Sequence, residues 1–249
     1  MKQQRLLSGI FMAAFMFSAN CIAQDTEFTV PIYQATYSVG FGSLRAGTAS
    51  FSLSKNADGT YTYKSLTKSA GLAALFLNDV VSENSHFKLM DGKLQPLQYT
   101  YEHTGKDKDD KETIQFDWAK GLAYTEEDGK QRSLPIKAGI YDRLLAQLAI
   151  SMDLQAGLDV EDYPVLGHGE INVYHMLRQD NTDLKTSAGN YETVVIARRA
   201  PHKDRITTFW LAPKLKYLPV KMEQTEPGQS TFSLVLTDII FDTTKTENN

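Results

Sequence analysis

From residue 33 onward the chain alternates apolar with polar side chains, and short turn sequences interrupt the alternation. Between residues 33 and 41, for example, Tyr, Ala, Tyr, Val and Phe alternate with Gln, Thr, Ser and Gly. A period of two indicates strands with one face on a core and one face in water. The other strand candidates are 49–53, 60–68, 112–118, 171–177, 191–198, 206–211, 217–223 and 231–241.

Residues typical of turns separate these runs. They occur at 56–59, 91–92, 105–110, 119–121, 128–129, 179–183, 201–204 and 226–229. The spacing predicts about a dozen strands, and an antiparallel sheet of that size must curl, close or split. The predicted fold class is therefore mainly β: a strongly curved antiparallel sheet or barrel of about a dozen strands with one amphipathic helix.

The helix is predicted where the period of two is lost, between residues 139 and 155. Five apolar residues there share one helical face: Ile140, Leu144, Leu145, Leu148 and Met152. Asp142, Arg143 and Gln147 fall on the opposite face, and Gly157 follows as a stop. A second apolar segment, 69–77, is consistent with either a short helix or a buried loop.

The first 23 residues have the three parts of a secretory signal peptide. Lys2 and Arg5 give a positive start, residues 6–17 are almost all apolar, and 21–23 form a small-residue cleavage site. The apolar run is short for a membrane span, which takes about 20 residues. We expect cleavage after Ala23 and a single β-rich periplasmic domain at 24–249.

Two alternatives to simple cleavage are weaker. An uncleaved anchor calls for a basic stop signal, whereas polar residues 24–27 follow the segment. A lipid anchor on Cys21 needs a small residue directly before the cysteine and an aliphatic residue three positions before it. Asn20 and Ser18 occupy those positions. We therefore expect export without lipidation.

Composition argues against several chemistries in the mature chain. Cys21 is the only cysteine, so its removal leaves no disulfide, thiol nucleophile or thiolate metal site. Loss of Lys2 and Arg5 changes the net charge from −4 to about −6, which disfavours nucleic acid as a partner. Hydrolase-elbow, zinc-protease and phosphate-loop motifs do not occur in the sequence. We assign no catalytic residue, metal or cofactor.

Two polar clusters come nearest to a metal or acid–base site. On a strand, His168 and Glu170 share a face while His175 points to the other face, so the three do not converge. The acidic segment 107–112 has enough carboxylates for calcium, but lysines are interleaved and the glycine of an EF-hand loop is missing. We expect a glycine-bearing strand entry and a solvated hairpin tip, respectively.

Two groups of residues are candidates for binding. A basic patch at a predicted hairpin turn suits anionic headgroups or sugars, with a solvated loop as the alternative: Arg198, Arg199, Lys203 and Arg205. An apolar pocket between the concave sheet, the apolar segment and the helix is the second, with ordinary core packing as the alternative: Leu72, Leu75, Phe76, Leu144, Leu148 and Trp210.

Several phrases of the sequence together resemble one family. They lie in this order at 37–47 (YSVGFGSLRAG), 91–99 (DGKLQPLQY), 189–194 (GNYETV) and 208–220 (TFWLAPKLKYLPV). They resemble the exported bacterial family catalogued as domain of unknown function 3108, over nearly the whole mature chain. The resemblance implies an exported envelope protein made mostly of antiparallel sheet, and it supplies no catalytic residue. A looser likeness of architecture is to periplasmic lipoprotein carriers.

Three functional hypotheses follow. The first is non-catalytic binding of a lipid-like or amphipathic envelope component within the curved sheet. The second is a structural or interaction module of the envelope with a filled core and another protein as its partner. An enzyme is the third. A cavity of several hundred cubic ångströms favours the first, an exposed apolar patch the second, and converging carboxylates or histidines in a cleft the third.

Overall fold

A computed structural model describes residues 30–71, 79–105, 109–199 and 204–242. Fifteen strands in these ranges form one sheet in the order β8-β7-β6-β5-β4-β3-β2-β1-β15-β14-β13-β12-β11-β10-β9. The strands of the first half are β1 (Tyr33–Phe41), β2 (Leu44–Lys55), β3 (Tyr61–Ser69), β4 (Val80–Met90), β5 (Lys93–Thr104), β6 (Asp110–Asp117), β7 (Leu122–Glu127) and β8 (Lys130–Pro135). Those of the second half are β9 (Tyr141–Asp142), β10 (Asp162–Gly167), β11 (Glu170–Thr186), β12 (Gly189–Arg199), β13 (Ile206–Ala212), β14 (Leu218–Thr225) and β15 (Phe232–Phe241).

The sheet is a meander joined at its middle. Each strand pairs with the next one along the chain, except β8 with β9. Strand β1 also pairs with β15, so the two halves of the chain meet at the centre of the sheet. All ladders are antiparallel except the short one between β9 and β10. The prediction of a mainly β, curled antiparallel sheet is confirmed.

The strand number and one turn differ from the prediction. The described sheet has fifteen strands rather than about a dozen, because β7 to β10 have only two to six residues each, too few to show a clear period. Residues 179–183 do not form a turn. They continue β11 through a register shift between Gln179 and Thr182, so a bulge takes the place of the predicted loop.

The inner face of β1 to β3 is filled by aromatic side chains. Every second residue of β1 from Tyr33 to Val39 is buried, as the period of two requires. Tyr33 donates a hydrogen bond to the Tyr63 hydroxyl at 3.0 Å, and the rings of Tyr37 and Phe51 meet edge-to-face with centroids 5.3 Å apart. This part of the interior is closed by its own side chains.

One α-helix, α1 (Leu145–Gln155), lies in the described residues, beside a short 3-10 helix at Pro213–Leu215. Helix α1 ends before Gly157, whose φ of 72° suits glycine. It begins later than predicted because Tyr141–Asp142 pair with Val165 and Leu166 as β9. Eight of its eleven residues are buried, so the helix is enclosed on most of its circumference. Such burial explains why the helix is stable without a long polar face.

The two ends of the curled sheet approach each other without forming a ladder between β8 and β9, which are the terminal strands of the described sheet. We call this junction the seam. Side chains bridge it: Arg132 of β8 donates to the carbonyl of Gly169, at 3.1 Å, in the turn between β10 and β11. Helix α1 follows β9 directly and packs beside β5 at the same junction.

Several predictions fall outside the described residues. They concern the signal peptide at 1–23, the apolar segment with Leu72, Leu75 and Phe76, part of the acidic segment, and Lys203. Within the described ranges, the helix is too short to be a membrane span.

Candidate functional site

Asp142 fixes the start of α1 against the opposite end of the sheet. Its Oδ1 accepts hydrogen bonds from the backbone N–H groups of Leu144 and Leu145, at 3.0 and 2.8 Å, as a helix-capping side chain does. Its Oδ2 lies 2.6 Å from the hydroxyl of Ser85 on β4. Burial raises the pKa of Asp142 to about 7, against an ordinary value of 3.8. A buried carboxyl group therefore ties β9 and α1 to β4.

Arg143 forms an ion pair in the same region. Its Nη2 lies 2.9 Å from Oε2 of Glu112 on β6, and the Glu112 side chain is only 1 % exposed. Burial raises the pKa of Glu112, and the positive charge of Arg143 opposes that rise. The guanidinium also lies over the ring of Tyr101 and donates from Nε to the Tyr99 hydroxyl at 3.2 Å. Tyr99 in turn donates to Glu83 at 2.5 Å.

His168 extends this network to the turn between β10 and β11. His168 and Gly169 both have positive φ, 54° and 66°, which suits a two-residue hairpin of type I′. The His168 backbone N–H donates to Glu112 at 2.5 Å, and its Nδ1 lies 2.6 Å from Glu127 on β7. Its Nε2 contacts the Arg143 guanidinium, which requires the imidazole to accept there and to donate from Nδ1. The turn therefore bridges the seam to β6 and β7.

The main role of these links is structural. Two carboxyl groups, one guanidinium and one imidazole replace the backbone hydrogen bonds that a closed barrel would have at this junction. Buried charges are tolerated when they are paired or hydrogen-bonded. Glu112 pairs with Arg143 and accepts from the His168 backbone N–H, and Asp142 accepts from Ser85 and from two backbone N–H groups.

A cleft of about 400 Å³ opens beside this network, between α1 and the inner faces of β11 to β14. We call it the seam cleft. Its volume lies within the range of small-molecule pockets, about 300–1,000 Å³. Its apolar lining residues are Ala146, Ile150, Met176, Phe209 and Met222. Its basic lining residues are Arg143, Arg198 and Arg205, and its acidic ones are Glu83 and Glu170. The remaining lining residues are Gln147, His168, Asn172, Tyr174, Thr207 and Gln224, so five apolar side chains line a cleft that is otherwise mostly polar. A site with these walls can hold a molecule that has one apolar part and one polar end.

Arg198 reaches the seam cleft from β12. Its guanidinium lies 4.1 Å from the centroid of the Tyr174 ring, and Nη2 is 3.3 Å from the Thr207 hydroxyl. Arg205 also lines the cleft, and its Nε lies 3.2 Å from Glu226. Arg198 lies on β12 and pairs in register with Thr207, whereas Arg205 directly precedes β13.

A larger depression of about 580 Å³ lies on the outer face of β5 to β8. A cross-strand row of four side chains crosses it: Gln98, Gln115, Tyr124 and Ser133. Its lining is mainly amide and hydroxyl groups, and no apolar floor like that of the seam cleft is formed there. The seam cleft is therefore the better candidate for an amphipathic ligand.

The structure separates the three described residues of the predicted apolar pocket. Leu144 and Leu148 are 0 % and 2 % exposed and pack in the core around α1. Trp210 follows Phe209 on β13 and so points to the opposite face of the strand, where the Lys221 ammonium lies 4.5 Å from its ring centroid. Leu148 does not line the seam cleft, although Ala146, Gln147 and Ile150 of the same helix do.

The predicted basic patch is split in the same way. Arg198 and Arg205 line the seam cleft, whereas Arg199 is exposed on the opposite face of β12. His168 lies in the β10–β11 turn rather than on a strand, Glu170 accepts from Asn172, and His175 lies 2.7 Å from Asp162 at the surface. In the described ranges, no group of three or more His, Cys, Asp or Glu side chains is arranged to hold a metal ion.

The sequence pattern does not identify Glu112, Arg143 and Tyr99 as parts of this network. It places Glu112 in the solvated acidic segment and Arg143 on the polar face of the helix. A signal existed for Glu112, because it lies in phase with the inward residues Ile114 and Phe116 of β6. A charged residue at an apolar phase of a strand indicates a buried pair or a ligand contact.

Comparison with known proteins supports the fold and the family. The structure is similar to the crystal structure of a beta-barrel-like protein of domain of unknown function DUF1849 from Brucella abortus, with a TM-score of 0.56 and 10 % identity. The match covers 85 % of this chain and 98 % of that one, and at this identity it concerns the fold alone. Among curated proteins no relative matches. The family model described as "Protein of unknown function (DUF3108)" matches residues 24–237, so the chain belongs to that family.

Proposed function

We propose that this protein is a non-catalytic binding protein of the bacterial cell envelope and that it holds a small amphipathic component in the seam cleft. The observation that carries the proposal is the lining of the cleft, where apolar side chains of α1, β11, β13 and β14 lie beside Arg198 of β12 and Arg205, which directly precedes β13. Small-molecule sites usually combine apolar side chains with a few convergent polar groups.

A non-catalytic role agrees with the use made of the buried charged groups. Asp142 is hydrogen-bonded to Ser85 and to the start of α1, and Glu112 is paired with Arg143. These groups join the two ends of the sheet, so their role is structural. The envelope location is inferred from the signal-peptide pattern of the first 23 residues.

Native mass spectrometry of gently purified full-length product tests the proposal. We expect a bound amphiphile of low mass in the parent protein, and its loss in Met222→Trp, since the larger ring fills the space between Phe209 and α1. The matched control is Thr208→Trp, on the outer face of β13, which should retain the bound mass. Absence of any ligand from the parent, together with failure of added dodecanoate and dodecanol to bind, would contradict the proposal.

A protein partner is the second candidate, because β11 has an exposed apolar stripe. Ile171, Val173 and Leu177 share one face of the strand and are 39 %, 39 % and 60 % exposed. Exposed apolar patches mark interaction sites when they are contiguous. The variant Leu177→Ser distinguishes the candidates: loss of the cellular phenotype with ligand still bound would favour the interaction module.

A further inference from the structure

Arg198 differs from the other two arginines of the seam cleft in having no carboxylate partner among the described residues. Arg143 is paired with Glu112, and Arg205 with Glu226. The contacts of Arg198 are the Tyr174 ring and the Thr207 hydroxyl. Its Nε is buried and has no hydrogen-bond partner in the described part of the chain.

A guanidinium without a carboxylate partner gains free energy from an anionic one, although the Nε–H itself has no surface exposed to the cleft. The planar guanidinium presents N–H donors in a fork that matches carboxylate and phosphate oxygens. Stacking on Tyr174 and the contact with Thr207 hold the plane of the fork in place. Arg198 is therefore oriented to bind an oxyanion, and no carboxylate of the described residues pairs with it.

The strand register places this group beside the apolar floor of the cleft. Arg198 pairs with Thr207, which pairs with Gln224, and these three form a polar row across β12, β13 and β14. Two residues further along the same face, Phe209 pairs with Met222. Since a strand rises about 3.3 Å per residue, the polar and apolar rows lie roughly 7 Å apart.

We propose that the ligand of the seam cleft is an anionic single-chain amphiphile whose carboxylate or phosphate oxygens pair with Arg198. Its hydrocarbon chain lies along Phe209, Met222 and Ile150. The inference rests on the proposed function and adds the chemical class and the orientation of the ligand. The acidic side chains of the cleft are otherwise engaged: Glu83 accepts from Tyr99 and Ser65, and Glu170 from Asn172.

Titration calorimetry with dodecanoate, dodecyl phosphate and dodecanol below their aggregation concentrations tests this inference on the full chain. We expect at least one of the two anions to bind the parent protein about tenfold or more tightly than dodecanol. The variant Arg198→Gln should lose that preference while keeping its affinity for dodecanol. Arg199→Gln, on the outer face one residue along, is the matched control and should behave like the parent.

Whichever anion binds the parent protein more tightly than dodecanol identifies the headgroup as carboxylate or phosphate. Arg198→Lys provides a second variant, because it keeps the charge but loses the planar fork, and we expect an intermediate preference. Equal binding of anions and alcohol by the parent, or an unchanged preference in Arg198→Gln, would overturn the inference and leave the proposed function standing. Binding of none of the three ligands would overturn both.

Discussion

The interior of the curled sheet contains two regions that are filled in opposite ways. Behind β1 to β3, tyrosine and phenylalanine rings pack against one another and leave little space. At the seam the interior contains carboxylates and a guanidinium, an exposed imidazole lies at its edge, and the seam cleft lies beside them. Both regions are part of one sheet, yet only the second has room for another molecule.

The difference follows from the strand pairing. Where consecutive strands are joined by ladders, the period of two places apolar rows side by side and the core closes without further help. At the seam the ladder ends, so side chains must provide the cohesion between β8 and the β10–β11 turn. Such hydrogen-bonded networks are rigid, so the side chains that form them do not repack to fill an adjacent gap. Two members of the network, Arg143 and His168, line the seam cleft, which therefore lies where the ladder is missing.

The largest effect is expected from breaking the ion pair of the seam. Arg143→Gln leaves the buried Glu112 carboxylate without its charge partner, and we expect a loss of about 3–5 kcal/mol in the free energy of unfolding. Chemical denaturation measures it. Lys111→Ala is the control: Lys111 is the neighbour of Glu112 on β6, its pair with Glu102 is exposed, and no measurable loss is expected. Equal effects of the two changes would contradict the distinction between buried and surface pairs.

The helix anchor should give the next largest effect. Asp142→Ala removes the acceptor of two backbone N–H groups and the partner of Ser85, and we expect a loss of about 2–4 kcal/mol. Urea denaturation of Asp142→Asn, which keeps an acceptor oxygen and the same shape, serves as the control and should show a smaller loss. A fully stable Asp142→Ala variant would mean that β9 and α1 are held by other contacts.

The same residue predicts a pH dependence. Because the pKa of Asp142 is raised by burial, its stabilising contribution is complete below the ordinary value of 3.8 and is lost as pH rises to about 7. The free energy of unfolding of the parent should therefore fall more steeply between these pH values than that of Asp142→Asn. Parallel profiles for the two proteins, measured by denaturation at several pH values, would show that Asp142 does not titrate in this window.

A smaller effect distinguishes the core, at Leu148 of α1, from the seam cleft, at Met222 of β14. Leu148→Trp overpacks a filled core, and we expect a loss of about 1–3 kcal/mol with ligand binding retained. The cleft variant Met222→Trp should show the reverse, with little loss of stability and no bound ligand. Thermal denaturation and native mass spectrometry of the two variants provide the comparison. Loss of binding in Leu148→Trp with full stability would place the pocket at Leu148, as the sequence alone suggests.

The sequence predicts the ladders well and the seam poorly. The period of β1 is clear in the sequence because apolar rows are a local property. The contacts of Glu112 with His168 and of Asp142 with Ser85 join residues 56 and 57 positions apart, and no local pattern encodes that approach. Export through residues 1–23 remains a prediction, as does a single domain at 24–249.

The site was predicted in part. Arg198 and Arg205 were chosen for charge alone, and the register explains why these two enter the seam cleft while Arg199 does not. Arg198 shares the phase of Val194 and Ile196 on β12, but Val195 and Ala197 of the other phase are also apolar and buried, so the sequence alone does not distinguish Arg198 from Arg199. The alternation of β13 does indicate that Phe209 points inward, but which inward residues border a gap depends on how the sheet curls.

The most direct test of the central claim is NMR of the methionine methyl groups. Met176 and Met222 line the seam cleft, whereas Met152 is buried in the core and Met90 is exposed at the end of β4. Titration of ¹³C-methyl-labelled protein with dodecanoate should shift the signals of Met176 and Met222 and leave those of Met152 and Met90 in place. Shifts confined to Met152 or Met90, or the absence of any shift at high dodecanoate concentration, would contradict ligand binding in the seam cleft.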